Sequence, residues 1–492
     1  MRRRMRPGRN YFKRGISYLK RNGLKKTLWK SAERIQMDTA EKDYVPYHAD
    51  ERTLHAQRNR EFRHPYKISI LVPVYETDPH LFKKMLDSVG DQTYGNWELI
   101  LADASADSSR RDIVRSFLEQ YNLRCKDRYG SPFDKVTYVK LGENKGISGN
   151  TNEALKRAHG DYVALLDHDD ILENTALFDI MSAIEEEENA GRDEDSIKKV
   201  MAVYTDEDKI TSDGSTYFSP HYKPDFDPVA LCTNNYICHF FAVDADLAKG
   251  TGGFRPEYDG AQDHDFILRC VEGIRRDQII HIPKVLYHWR STQGSTAENP
   301  DSKLYAYEAG KKAVADHFKR MGLDVKVTDT SHLGFFELDY ALPHDPVMCI
   351  TTESYRRLSE SSSELPGDGY IMILSGDLAP EDRDYARIMA SCMCLPFVGC
   401  VTGKIIGRNK KIESAGFDTD ESGQIVPCFN GLDRRFSGYM HRTSTDRLVD
   451  AFSEDCVLVR LDAVKEIYPH IVLKDGFDVY YMARAEFVRK SV

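Results

Sequence analysis

No apolar run in this 492-residue chain approaches the ~20 residues that span a bilayer, so no membrane crossing is expected. Its ten cysteines include no Cys-x-x-Cys pair, and their scatter over so long a chain reads neither as a zinc site nor as a disulfide framework. Cys392 and Cys394, the one close pair, lie in an apolar stretch and read as core. Reduced, buried thiols fit a cytoplasmic protein. The basic N-terminus has neither the apolar region nor the small-residue cleavage site of a secretory leader. Acid is missing altogether from the first thirty residues, MRRRMRPGRNYFKRGISYLKRNGLKKTLWK, although the whole chain carries a net charge of −10. That overall charge argues against a nucleic-acid partner. Within the basic segment Phe12, Ile16 and Leu19 fall at helical spacing, as do Leu24 and Leu28 beyond Asn22-Gly23. Such a helix suits peripheral contact with an anionic membrane, at the inner face of the plasma membrane, each cation contributing ~1 kcal/mol. Docking on a folded domain of the same chain suits it equally.

The chain is 41% hydrophobic and 30% charged with a mean hydropathy of −0.53. This is a soluble globular composition, and the length calls for two globular units plus connecting segments. From Tyr66 short apolar strands alternate with helices: KISILVPVY, PHLFKKMLDSVGDQ, WELILAD, a second helix, VTYVKL, GNTNEALKRAHG and DYVALLDHDD. The alternation predicts an α/β fold on a parallel sheet with helices on both faces, in which ligands bind beyond the carboxyl ends of the strands. Polar residues gather there: Pro73, Tyr75 and Glu76, then Asp103 and Ser105, then Asn144 and Gly146, then Asp167, Asp169 and Asp170. The acidic run EEEENAGRDED near residue 185 reads as a solvated helix end and its loop. Farther on, YIMIL at Tyr370–Leu374 resembles YVALL at Tyr162–Leu166. Its sequel Ser375, Gly376, Asp377 stands where the first copy has Asp167, His168, Asp169, so the second copy should bind metal weakly or not at all.

In LLDHDD, strand alternation would point Asp167 and Asp169 the same way, where two carboxylates and a diphosphate suit Mg2+ or Mn2+. Asp170 is a candidate cap for the helix ILENTALFDIMSAI. In GAQDHDFILRC, Asp263 or Asp265 could take a proton from an attacking hydroxyl; Asp263 is the candidate, though composition does not select between them. In VLYHWRSTQGSTA, His288 could serve a metal or a phosphate, or be structural, and Arg290 could neutralise a departing diphosphate.

The motifs ILVPVYET, SVGDQTYGNWELILADAS, ENKGISGNTNEAL, ALLDHDDIL, VYTDEDKI, PHYKPDFDPVALCTNNYICH, GGFR, GAQDHDF and YHWR, in this order, resemble a family 2 glycosyltransferase of the bacterial surface-polysaccharide, rhamnosyltransferase-like type. The resemblance implies a GT-A nucleotide-diphospho-sugar transferase domain over residues 66–325, after a basic helical segment at 1–65. A linker at 326–350 would lead to a degenerate, noncatalytic GT-A-like unit at 351–492, for which VGCVTGKII, IESAGF and DCVLVRLDAV are the familiar pieces. It implies an inverting, metal-dependent transfer from a UDP- or dTDP-sugar to a glycan or lipid-linked oligosaccharide acceptor in cell-surface polysaccharide synthesis. Its site residues would be Asp263 as base, Asp167, Asp169 and His288 at the metal, and Pro73, Tyr75, Glu76, Asp103, Asn144, Gly146, Asn150 and Asp167 at the donor nucleotide. Two departures stand out: Asp103 is followed by Ala104 rather than a second acid, and Gln262 replaces the acid that often precedes the base. A noncatalytic nucleotide- or glycan-binding scaffold is the alternative. A nucleotidyltransferase fits less well, because LVPVYETDPH lacks a glycine-rich basic loop.

Overall fold

Seven residues, Ile68–Val74, apolar but for Ser69, form the first strand, and nearly every side chain in it is buried, as in a sheet covered on both faces. The structure, a computed structural model, describes residues 19, 23–24, 27–34, 44–124, 134–190, 199–291, 304–343, 347–360, 368–466 and 470–490. In chain order the strands of the first sheet are β1 (Ile68–Val74), β2 (Trp97–Asp103), β3 (Val136–Lys140), β4 (Tyr162–Leu165), β5 (Ile171–Leu172), β6 (Ala202–Thr211), β7 (Tyr217–His221), β8 (Phe241–Asp244) and β9 (Ile279–Ser291). Their order is β3-β2-β1-β4-β8-β6-β9-β5, with β7 beside β6. The first four are parallel, as expected. Beyond them the sheet is mixed: β8 runs antiparallel between β4 and β6, β9 is parallel to β6, and β5 is antiparallel to β9.

Two local expectations change. The helix after β1 spans Pro79–Gly90 and starts where Asp78 accepts from the His80 and Leu81 amides. By contrast, the helix Ala176–Ala190 begins beyond β5, so Asp170 does not cap it. The acidic run is also less solvated than its composition suggests, since Glu185 accepts from Arg60 (3.1 Å) and buried Glu188 from the Tyr66 hydroxyl (3.1 Å).

The chain divides into two units, one of residues 1–17, 40–226 and 235–317, the other of 18–39, 227–234 and 318–492. The second unit thus recruits two segments from the N-terminal part of the chain. Asp227 caps the helix Pro228–Thr233 and its other carboxylate oxygen accepts from the Leu448 amide (2.8 Å). Residues 27–34 are helical, and buried Glu33 accepts from the Ser437 amide and hydroxyl and the Gly438 amide (2.6–2.9 Å). The Arg435 guanidinium lies 3.3 Å from the Trp29 ring centroid. Docking on a domain therefore describes this helix, with Leu24 and Leu28 exposed; Phe12 and Ile16 lie outside the described residues. No helix among the described residues is long and apolar enough to cross a membrane.

The second unit opens with a hairpin, β10 (Val325–Asp329) and β11 (Phe336–Tyr340), inside the span read as a linker. Then come β12 (Val347–Thr351), β13 (Tyr370–Leu374), β14 (Leu378–Pro380), β15 (Val398–Ile406), β16 (Ile412–Ala415), the pair β17 (Phe417–Thr419) and β18 (Ile425–Pro427), β19 (Arg447–Val449), β20 (Cys456–Arg460), the pair β21 (Val464–Glu466) and β22 (Val472–Leu473), and β23 (Asp478–Arg489). Their sheet runs β12-β13-β20-β15-β23-β14, with β16 on β15 and β19 on β23. Strand for strand this repeats β1-β4-β8-β6-β9-β5 with β7 on β6, in the same chain order and with the same parallel and antiparallel pairings. Counterparts of β2 and β3 are absent among the described residues. The repeat glimpsed in YIMIL is therefore a repeat of the sheet.

Asp446 is buried in this unit, its carboxylate accepting from the Tyr480 hydroxyl (2.7 Å) and the Ala483 amide (2.8 Å). Burial pushes its pKa up to about 6. An acid raised in the folded state favours folding while protonated, and that contribution is lost as pH rises from about 4 through about 6. Asp446→Asn is expected to remove this slope, worth up to about 3 kcal/mol, in urea titrations of the second unit's transition at pH 4.5 and 7.5.

Candidate active site

Beyond β4 the backbone leaves the sheet, so Asp167, His168, Asp169 and Asp170 occupy a turn rather than a continuing strand. Alternation thus does not set their directions; the turn does, with the Asp170 amide donating to the Asp167 carbonyl (3.3 Å). Asp167 and Asp169 are partly exposed, whereas Asp170 is buried and accepts from the Tyr287 hydroxyl and the Arg290 amide. Burial, and then the charge of its neighbour Asp167, raises the Asp169 carboxyl above the ordinary range. Asp170 is raised further, by burial and by both other acids. Three crowded carboxylates with only oxygen to offer are the donor set of a hard divalent cation, so Mg2+ or Mn2+ fits Asp167 and Asp169.

At the ends of β1 to β3 the remaining residues form two loops. Tyr75 is about half exposed. Glu76, in the left-handed region at φ 46°, ties the β1 and β2 loops together: its amide donates to Ser105 Oγ and its carboxylate accepts from the Ala106 amide (both 2.8 Å). Pro73 is inside β1, paired with Ala102. Asp103 has no exposed surface; it accepts from the Ser105 amide, the Tyr138 hydroxyl and Lys140 Nζ. In this structure it organises the loop rather than presenting a carboxylate to a base. Asn144 Oδ1 accepts from the Gly146 amide (3.1 Å) and Asn150 Nδ2 (2.9 Å), opening the helix Gly146–Leu155. Gly146 is required twice over: its φ is +75°, and a Cβ would sit 2.4 Å from Asp259.

The two acids of GAQDHDF, which the sequence left level, differ sharply. Asp265 is fully buried and clamped by Arg255 (Nε, 3.0 Å) and Arg269 (Nε 3.0 Å, Nη2 2.8 Å). Asp263, two residues earlier in the helix Gln262–Val271, is partly exposed, and its carboxylate is near Cys238 and His239.

His288 is not on this side. Along β9 successive residues face opposite ways; Tyr287 reaches Asp170, while His288 has its Nδ1 2.7 Å from Asp208 and its Nε2 3.5 Å from Glu173. Tyr44 and His48 bond the same two acids (2.7 and 2.8 Å). Burial works against its charge, but the bonds to Asp208 and Glu173 prevail and push the His288 pKa up to about 9. With both nitrogens held by carboxylates, His288 is corrected from metal ligand to structural ion-pair residue. Arg290 is likewise turned inward, Nε donating to the Asp169 carbonyl (2.7 Å) and the backbone amide to Asp170, so it braces the turn.

The imidazole on the carboxylates' side is His239, stacked on Tyr287 at 4.7 Å. Its Nδ1 is 3.2 Å from Glu207, which also faces His221 and Lys223. Burial opposes charge on both, yet Glu207 stays well below the carboxylate range through Lys223, His221 and His239, and His239 rises to about 9 through Glu207. Sequence reasoning passed over this network, although three consecutive acids, Asp206 to Asp208, on a strand starting AVYT required buried cationic partners.

Carrying the strand registers across to the second unit sets Ser375 against Asp167, Leu378 against Asp170, Ile405 against Glu207, Ile406 against Asp208, Phe487 against Tyr287, Val488 against His288 and Asp455 against His239. Asp377 alone keeps its acid, and Arg489, opposite Trp289, joins it to Glu413 and Asp455 through three ion pairs of 2.7–3.1 Å.

Residues 69–222, from within β1 past β7 and including the Asp167–Asp170 turn, match the model of "Glycosyl transferase family 2". That stretch, within the mixed sheet of the first unit, is similar to the glycosyltransferases of that family. Among curated proteins, "Uncharacterized protein y4gI" of Sinorhizobium fredii is 40% identical over 254 residues, 51% of this chain and 25% of that protein. "O-antigen biosynthesis protein RfbC" of Myxococcus xanthus is 28% identical over 269 residues, 54% and 19% of the two chains. Escherichia coli WfgD, a "UDP-Glc:alpha-D-GlcNAc-diphosphoundecaprenol beta-1,3-glucosyltransferase", is 33% identical over 106 residues, 22% and 36%. The solved structure of S. aureus TarS 1-349 with UDP-GlcNAc aligns over 52% of this chain and 72% of that one, at 17% identity and a TM-score of 0.36. The chain spans a quarter or less of the length of the first two relatives.

Asp265→Asn is expected to destabilise the first unit by about 3 kcal/mol, because it weakens the clamp and leaves two arginines short of a counter-charge. Asp263→Asn should leave thermal unfolding within about 0.5 kcal/mol of the parent. Differential scanning calorimetry of both variants checks the division of labour.

Proposed function

We propose that the chain is an inverting, metal-dependent glycosyltransferase that moves a sugar from a UDP- or dTDP-sugar onto a glycan in cell-surface polysaccharide synthesis. The observation that carries the reading is the pairing, in a family 2 domain, of a crowded carboxylate turn at Asp167–Asp170 with a partly exposed acid at Asp263. The relatives' printed roles in O-antigen biosynthesis and in glucosyl transfer to a diphosphoundecaprenol-linked sugar support the substrate class and a lipid-linked acceptor. A peripheral position on an anionic membrane would bring the chain to such an acceptor.

Asp167 and Asp169 would hold Mg2+ or Mn2+, which when bound offsets the negative charge developing on the leaving diphosphate. The exposed loops carrying Tyr75, Glu76, Asn144 and Gly146 would seat the nucleotide at the strand ends. Tyr287 and Arg290, by bonding Asp170 and the Asp169 carbonyl, keep the turn in one geometry. Asp263 takes the proton of the acceptor hydroxyl as that oxygen attacks the anomeric carbon opposite the leaving group, so configuration inverts in one displacement. The second unit is a noncatalytic copy, since all but one of the acids and imidazoles compared above are replaced there. A scaffold role for the whole chain is disfavoured by the intact acids of the first unit.

Asp263→Asn preserves volume and removes the base. Turnover is expected to fall by roughly 10²–10⁴, measured as nucleoside diphosphate release with acceptor, while donor affinity is retained; unchanged turnover would place the base elsewhere.

A further inference from the structure

Two donor sets of different chemistry lie close together in the first unit. The turn at Asp167 and Asp169 offers only carboxylate oxygen. The second set is Cys238, His239 and Asp263, whose thiol, imidazole and carboxylate donor atoms all lie within 4.8 Å of one another. Sulfur, nitrogen and oxygen in one triad suit a borderline ion rather than Mg2+ or Mn2+. A tetrahedral zinc ion sets its ligand atoms roughly 3.3–3.7 Å apart, so only about 1 Å of side-chain closure is needed. His239 Nδ1 faces Glu207 at 3.2 Å, the kind of carboxylate that stands behind a ligating histidine, and ligation through Nε2 displaces the proton that the charged ring carries there. Lys223, whose Nζ donates to the Ile237 and His239 carbonyls, fixes the backbone that carries two of the three ligands.

We propose that Cys238, His239 and Asp263 form a zinc site, separate from the Asp167–Asp169 site, with a fourth position left for water or a substrate oxygen. Binding there withdraws the Asp263 carboxylate from solvent and from any acceptor hydroxyl. Zinc thus inhibits transfer even with Mg2+ saturating. The site stands on its geometry alone; the inhibition rests on the role proposed above for Asp263.

The test uses the full chain with excess Mg2+ and Co2+ as the spectroscopic stand-in for Zn2+. A thiolate-to-cobalt charge-transfer band is expected, displaced by one equivalent of Zn2+, lost in Cys238→Ser and kept in Asp167→Ala. Glu207→Gln should weaken Zn2+ binding 10–100-fold in chelator competition. No band, or one that survives Cys238→Ser, overturns the site. Should the band behave as expected while Zn2+ leaves transfer unslowed, the part given to Asp263 in the reaction is overturned and the site is not.

Discussion

Three carboxylates within four residues, at the end of a buried strand, repel one another, and much of the first unit's architecture manages that repulsion. Asp170 is buried and held in place by the Tyr287 hydroxyl and the Arg290 amide, while burial and the other two acids raise its carboxyl well above the ordinary range. His239, carrying charge because Glu207 faces it, adds positive potential from the side. Asp167 and Asp169 are left partly exposed and crowded, with the Asp169 carboxyl still raised, and a divalent cation would relieve that crowding. Strand order serves this arrangement: β8, beside β4, follows closely on His239, and β9, between β6 and β5, carries Tyr287 to Asp170.

The second unit shows what becomes of the same sheet without that constraint. Where the first unit buries Glu207, Asp208 and His288, the second packs Ile405, Ile406 and Val488. The surviving acid, Asp377, is answered within the chain by Arg489, a guanidinium that needs no metal. In the second unit apolar packing and an internal guanidinium stand where the first unit has buried ion pairs and a crowded carboxylate turn.

Much of this was legible in sequence because the signals are local. β1, β2 and β4 are predominantly apolar runs, as buried parallel strands are, and the acids at their ends identify the rim. Asp263 and Asp265 look alike at a helix start; only the guanidinium groups of Arg255 and Arg269, one of them from a preceding loop, separate them. Whether His288 or His239 faces the carboxylates depends on how β9 alternates against β5 and β6, pairings between strands far apart in the chain. For the same reason the segments 18–39 and 227–234, which belong to the second unit, could not be assigned from their own composition.

The central claim, a nucleotide-sugar site organised around Asp167 and a metal, is tested most directly by calorimetric titration of the full chain with UDP- and dTDP-sugars, with and without Mn2+, repeated on Asp167→Ala. The account predicts that one donor binds only with Mn2+ and that the variant loses this binding. Absence of nucleotide binding under every condition, or binding indifferent to both metal and Asp167, would contradict it.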